Sequence, residues 1–193
     1  MSPQASPIAV LDACVLYPAP LRDLLLSLAD VGLFMPLWSQ EIQEEWIHNL
    51  LLNRPDLTKQ QLSLTQVAMD LAFPAARIGH YENLIPTIQL RDQNDRHVVA
   101  AAIKGNAALI ITFNLKDFPK NILEPLGLSA LHPDVFLSQM VSSNPLESAS
   151  AFRNMLNRLK KPPMSRLDLL QTLQQSGLTD TVEKLRLITY KQT

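Results

Sequence analysis

Three acidic residues stand at the edges of hydrophobic segments. Asp12 ends the run IAVLD, Asp95 opens DRHVVAAAI, and Asp117 closes ALIITFNLKD. Taken alone, each is a cap or turn residue, because one short acidic side chain satisfies a helix start. Taken together, they are carboxylates from separated segments that one sheet edge can gather. Converging carboxylates repel, and the usual remedy is a hard divalent cation with oxygen ligands, Mg2+ or Mn2+. A cation held this way polarises a phosphoryl oxygen and activates water for hydrolysis.

The elements that would bring these acids together are legible in outline. IAVLDA (8–13) and ALIITF (108–113) are short apolar runs with polar residues after them, the pattern of buried strands. Ligands of open α/β sheets bind beyond the carboxyl ends of the strands, where Asp12, Asn114 and Asp117 fall. NDRHVVAAAIKG reads as a helix closed by Gly105, and its spacing puts Asp95, Val99 and Ala102 on one face. SQEIQEEWIHNLLLN reads as a helix capped by Ser39, with Glu41 and Glu45 near its positive end; spacing does not single out Glu45 from Glu44. LRDLLLSLADVG (21–32) and DLTKQQLSLTQVAMDLAF (56–73) predict two further helices, whereas 75–91 is ambiguous. Strand, helices, strand, helix is the order of an α/β layer fold with a parallel sheet.

Beyond Asn144 the pattern turns wholly helical. Three amphipathic segments are separated by Pro162-Pro163 and Gly177, with Ser165 and either Thr179 or Asp180 as N-caps. This predicts an α/β domain over 1–141 and a helical extension over 142–193. Residues 1–132 carry nine Lys+Arg against thirteen Asp+Glu, and residues 133–193 carry eight against five. An acidic body with a basic tail suits a metal site acting on a polyanion, with Arg153, Arg158, Lys160, Lys161 and Arg166 as phosphate contacts. The rival reading is a solvated helical face.

Composition bounds the rest. Of 193 residues, 47% are hydrophobic and 18% charged, enough apolar side chains for a sizeable core. Cys14 is the sole cysteine, which excludes an internal disulfide and a Cys-rich zinc site and suits a reducing compartment, the cytoplasm. The thiol reads as a small core hydrophobe. MSPQASPIAVLDA lacks a basic n-region, so no signal peptide is expected, and no apolar run reaches 18 residues, so no membrane span is expected. His48, His80, His97 and His132 lack metal-ligand spacing and read as surface or packing residues.

LDACVLYP, SQEIQEEW, DQNDRHVVAAAI and ITFNLKDFP, in this order across residues 8–137, resemble the PIN-domain nucleases in their VapC-like toxin branch. The resemblance implies a PIN-like three-layer α/β sandwich with a central parallel sheet. It implies an acidic cluster that binds Mg2+ or Mn2+ and cleaves RNA. Asp12 matches the first acid, Glu45 the helix glutamate and Asp95 the acid before the apolar helix. At the fourth position relatives carry either an aspartate where Asn114 stands or an acid three residues on. Asp117 is taken as that acid, with Asn114 and Thr112 supporting and Asp92 as an extra carboxylate. LKKPPMSRLDLLQTLQQSGL resembles the C-terminal helical extension of a longer VapC-like subgroup. The implied partners are an RNA substrate, a separately encoded antitoxin and a second copy of the chain.

Two alternatives have their own signatures. A phosphatase of the haloacid-dehalogenase type needs a second aspartate two residues after the first, and Cys14 occupies that position. A PIN fold that binds RNA or protein without cutting has no use for acids at all four positions.

Overall fold

The computed structural model describes residues 6–160 and 163–190. The chain begins with β1 (Ile8–Leu11), α1 (Ala13–Leu16) and α2 (Ala19–Asp30), followed by β2 (Met35–Ser39), α3 (Gln40–Asn53) and α4 (Lys59–Ala72). Next come β3 (Arg77–Ile78), α5 (Arg96–Lys104), β4 (Leu109–Ile111), α6 (Lys120–Leu123) and β5 (Ser129–Leu131). Four helices complete the described chain: α7 (Pro133–Ser143), α8 (Pro145–Arg158), α9 (Arg166–Gln175) and α10 (Thr179–Tyr190). These elements form two compact units, one of Pro7–Tyr17 with Met35–Leu131, the other including Pro18–Phe34 and the described residues from His132 onward.

The first unit holds a five-stranded, all-parallel sheet in the order β3-β2-β1-β4-β5. The chain builds outward from β1 through β2 to β3, then crosses back to place β4 and β5 on the opposite flank. The strand order therefore reverses between β1 and β4, the place where open α/β sheets leave a crevice at the strands' carboxyl ends. Ala9, Val10 and Leu11 of β1 are fully buried, as a central strand requires. Helix α5 packs against β1, β2 and β4. Its run of Val98, Val99, Ala100, Ala101 and Ala102 is fully buried, and the small side chains allow close approach to the sheet. Because α5 feeds a parallel strand, it runs opposite to the strands, and its N-terminus lies at their carboxyl ends.

Local sequence explains most boundaries. Ser39 Oγ accepts from the Ile42 amide at 3.1 Å to cap α3, and Thr58 and Gln61 form a reciprocal capping box on α4. Gly105 closes α5 beside the side chains of Leu37 and Ile78, where a Cβ would intrude. Strands β2 and β3 have physical reasons for being hard to see in the sequence. β2 contains Pro36, which lacks a ladder donor. It is tolerated because β3 pairs only with Trp38 and Ser39, so Pro36 has β1 on one side and no strand on the other. β3 is two residues long, too short to show alternation.

The second unit is helical, which matches the reading of the chain beyond Asn144 and adds α2 and α7. Phe34 and Phe136 meet edge to face, with ring centroids 5.1 Å apart. Arg158 of α8 donates to Ser27 Oγ at 2.7 Å and lies 3.9 Å from Asp30, tying α8 to α2. Ser165 caps α9 in a capping box with Asp168, as its sequence predicts. The start of α10 is held differently from the expected local cap. Asp134 of α7 accepts from the Asp180 and Thr181 amides at 3.0 and 2.8 Å and from the Thr181 hydroxyl at 2.6 Å. No helix among the described residues is long and apolar enough to cross a membrane.

Candidate active site

At the carboxyl ends of β1 and β4 lies a cavity of about 380 Å³. Asp12 and Cys14 line it from the end of β1, Glu45 from α3, Asp95 from the start of α5, and Asn114 from beyond β4. Ala13, Tyr17, Asn49 and Asn53 complete the wall. Asn49 and Asn53 continue the face of Glu45 at four-residue steps, the spacing of neighbours on a helix. They were absent from the sequence reading, and that spacing is the signal by which they could have been found.

Asp12 is 5% exposed and hydrogen-bonded through both carboxylate oxygens. Its Oδ1 accepts from the Ala13 amide at 2.7 Å, making it the cap of α1 as well as a cavity residue. Its Oδ2 accepts from the Thr112 hydroxyl at 2.6 Å and from the Cys14 thiol at 3.2 Å. Thr112 Oγ1 in turn accepts from the Asn114 amide at 3.0 Å, so one buried hydroxyl links the carboxylate of β1 to the turn after β4. Burial, then the charge of Asp12, pushes the Cys14 pKa up to about 12, so the residue stays a thiol at neutral pH and is no nucleophile.

Asp95 occupies the N-cap position of α5 without capping it. Its backbone is helical, and its side chain makes no cap hydrogen bond. Burial first, then the charges of Asp12, Asp92, Asp117 and Glu45, raises its pKa from 3.8 to about 6. These charges point to a repulsive cluster around the N-terminus of α5. Asp92 is exposed, its Oδ1 accepting from the Asn94 amide at 2.9 Å, and it contributes charge from outside the cavity. Asp117 ends the 3-10 turn Leu115–Asp117 and is half-buried; it adds to the charge on Asp95, while the cavity wall itself carries Asn114.

His97 is the residue whose part was hidden in the sequence. It is 3% exposed, with Nε2 3.0 Å from Glu45 Oε1 and Nδ1 3.5 Å from Glu41 Oε2. Burial, the largest influence, pulls its pKa down, but the hydrogen bond and charge of Glu45, with Glu41 and Asp12, lift it above the usual value.

The cavity donors are carboxylate and amide oxygens, the set a hard divalent cation takes. Among the described residues, no three His, Cys, Asp or Glu side chains already stand in metal-holding geometry. The donor chemistry fits such an ion.

Of the basic residues singled out in the extension, Arg158 and Arg166 have internal partners, the latter bonding the Thr189 carbonyl at 3.1 Å. Lys160 is exposed, and Lys161 lies outside the described residues.

A parallel α/β sheet with carboxylates gathered at its topological switch point is the architecture of a PIN-like fold. Residues 9–116 match the PIN domain model and residues 133–187 the VapC50 C-terminal domain model, so the chain belongs to the PIN-domain family in its VapC-like form with a C-terminal extension. It is 36% identical over 93 residues to "Putative ribonuclease VapC50" of Mycobacterium tuberculosis. That alignment covers 48% of this chain and 54% of the relative, so the chain spans about half the length of the curated relative it matches. No solved structure matches it.

Proposed function

We propose that this protein is a divalent-metal-dependent endoribonuclease that hydrolyses RNA phosphodiester bonds. The observation that carries the reading is the oxygen-lined cavity of Asp12, Glu45, Asp95 and Asn114, in which burial first and then the charge of its neighbours raise the Asp95 pKa to about 6. A cluster that repels itself this way costs stability unless a cation offsets it. Asp12, Glu45 and Asp95, with Asp117 as the fourth acid and Asn114 at the rim, would hold Mg2+ or Mn2+. The bound ion supplies Lewis acidity at the scissile phosphate and an acidified water. Thr112 keeps Asp12 aimed at the cavity, and Asn114 offers a neutral oxygen beside the acids. Asp92 adds negative potential from outside.

The matching family models and the name of the relative favour the ribonuclease reading, and the VapC-like motif order extends it to the role of toxin in a type II toxin–antitoxin pair. In that role a separately encoded antitoxin binds the protein in the cytoplasm, and a homodimer is the expected assembly. The division into a nuclease domain over 1–141 and an extension over 142–193 belongs to the proposal. So does contact of Arg158, Lys160, Lys161 and Arg166 with RNA phosphates. Arg158 keeps 57% of its side chain exposed despite its bond to Ser27, which leaves it available to a phosphate.

The deciding experiment is cleavage of a mixed RNA pool by the full chain with Mn2+, with and without EDTA. Cleavage that EDTA abolishes is the expected result. RNA binding without cleavage under any metal would favour the alternative, a PIN-fold binding module.

A further inference from the structure

Two glutamates of α3 meet one buried imidazole. Glu41 and Glu45 stand four residues apart, so they share a face of the helix and repel one another. His97, in the first turn of α5, lies against both. Its Nε2 is 3.0 Å from Glu45 Oε1 and its Nδ1 is 3.5 Å from Glu41 Oε2. The Tyr81 hydroxyl donates to the same Glu41 oxygen at 3.4 Å, holding that acid from its other side. Glu45 lines the cavity, whereas Glu41 and His97 do not. His97 is 3% exposed, too deep to meet a substrate, so whatever it does for the site passes through Glu45.

A glutamate side chain has three rotatable bonds, and Glu45 is 38% exposed. Left alone it would sample many positions beside the cavity. A carboxylate has no proton to give, so His97 Nε2–H is the donor to Glu45. We infer that His97 is a positioning residue: its Nε2–H fixes the Glu45 carboxylate at the cavity shared with Asp12 and Asp95. The inference rests on the metal-dependent reading above. Partners that orient a metal-binding side chain typically change metal affinity by about 10–100-fold when removed.

The test is Mn2+ affinity of the full chain by titration calorimetry, with melting in EDTA as a separate readout of packing. A glutamine amide nitrogen reaches the place of imidazole Nε2, whereas an asparagine amide reaches only the place of Nδ1. His97→Asn should weaken Mn2+ binding by about 10–100-fold, and His97→Gln should recover most of that loss. In a Glu45→Gln background, His97→Asn should have no further effect. A loss through packing alone would follow the EDTA melting temperatures of the two variants. Equal Mn2+ affinity in the unaltered protein and His97→Asn overturns the inference. So does equal weakening in both variants, or an effect that persists undiminished with Glu45→Gln. Failure of the unaltered protein to bind Mn2+ overturns the metal-dependent reading, and this inference with it.

Discussion

Replacing Asp95 by Asn in metal-free protein should raise stability, and the gain should depend on pH. Asp95 makes no cap bond that the substitution would lose. Its pKa is raised from 3.8 in the ordinary state to about 6 in the fold, chiefly by burial and then by Asp12, Asp92, Asp117 and Glu45. For a carboxylic acid raised in this direction, folding favours the neutral form. Below about pH 4 the folded and unfolded chains both hold the proton, and Asp95 carries no penalty. Between about pH 4 and 6 the unfolded chain has released the proton while the folded chain retains it, so stability falls as pH rises. Above about pH 6 the full penalty is present. About two pH units at about 1.4 kcal/mol each give an upper bound of about 3 kcal/mol. Asp95 is only half-buried, and solvent screening reduces this to about 1–2 kcal/mol. In a chain of this size that corresponds to a rise in melting temperature of about 2–8 °C. Thermal melts in EDTA should therefore show Asp95→Asn above the unaltered protein at pH 7.5, with the difference collapsing near pH 4. Adding Mn2+ should reverse the order at pH 7.5, because ligand binding stabilises the chain that retains the acid. A variant less stable than the unaltered protein at pH 7.5, or a gain independent of pH, would refute the electrostatic reasoning and return Asp95 to a structural role.

Other residues give independent checks. Asp12→Asn should abolish Mn2+-dependent cleavage while the chain still melts cooperatively, as measured by gel assay and circular dichroism. Comparing Asp117→Asn with Asn114→Ala identifies the fourth acid: loss of cleavage only in the former is expected, and loss only in the latter assigns the position to Asn114. Thr112→Val removes the hydroxyl that donates to Asp12 and accepts from the Asn114 amide, so denaturant unfolding should show a loss of about 1–3 kcal/mol. Asp134→Ala should cost about 2–4 kcal/mol by unbinding the start of α10, with faster hydrogen exchange at Asp180 and Thr181 and unchanged Mn2+ affinity.

Much of the site was legible because its residues announce themselves by position. β1 and β4 are continuous apolar runs that end in polar residues, and strands of a parallel sheet place such ends at a common edge. Ser39, Ser165 and Gly105 mark helix boundaries through local hydrogen bonding or close packing that neighbours in sequence suffice to define. The choice of Glu45 over Glu44 came from the motif order. In the structure Glu45 is a wall residue of the cavity, whereas Glu44 accepts a hydrogen bond from Gln40.

What the chain could not reveal locally was every feature made by residues distant in sequence. β2 exists as a strand because β1 and β3 pair with it, which overrides the poor strand character of MPLWS. Asp134 caps a helix that begins 45 residues later, so no local pattern betrays it. Thr112 and Asp12 are 100 residues apart and share one hydrogen bond. His97 has no metal-ligand spacing, and its significance arises only when α5 and α3 bring its imidazole to Glu45. Sequence by itself determined which carboxylates were available and which strand and helix ends carry them, because those depend on periodicity and capping. Tertiary structure decided which groups hold the carboxylates in place, because a hydrogen bond between distant segments is set by packing and leaves no period in the chain.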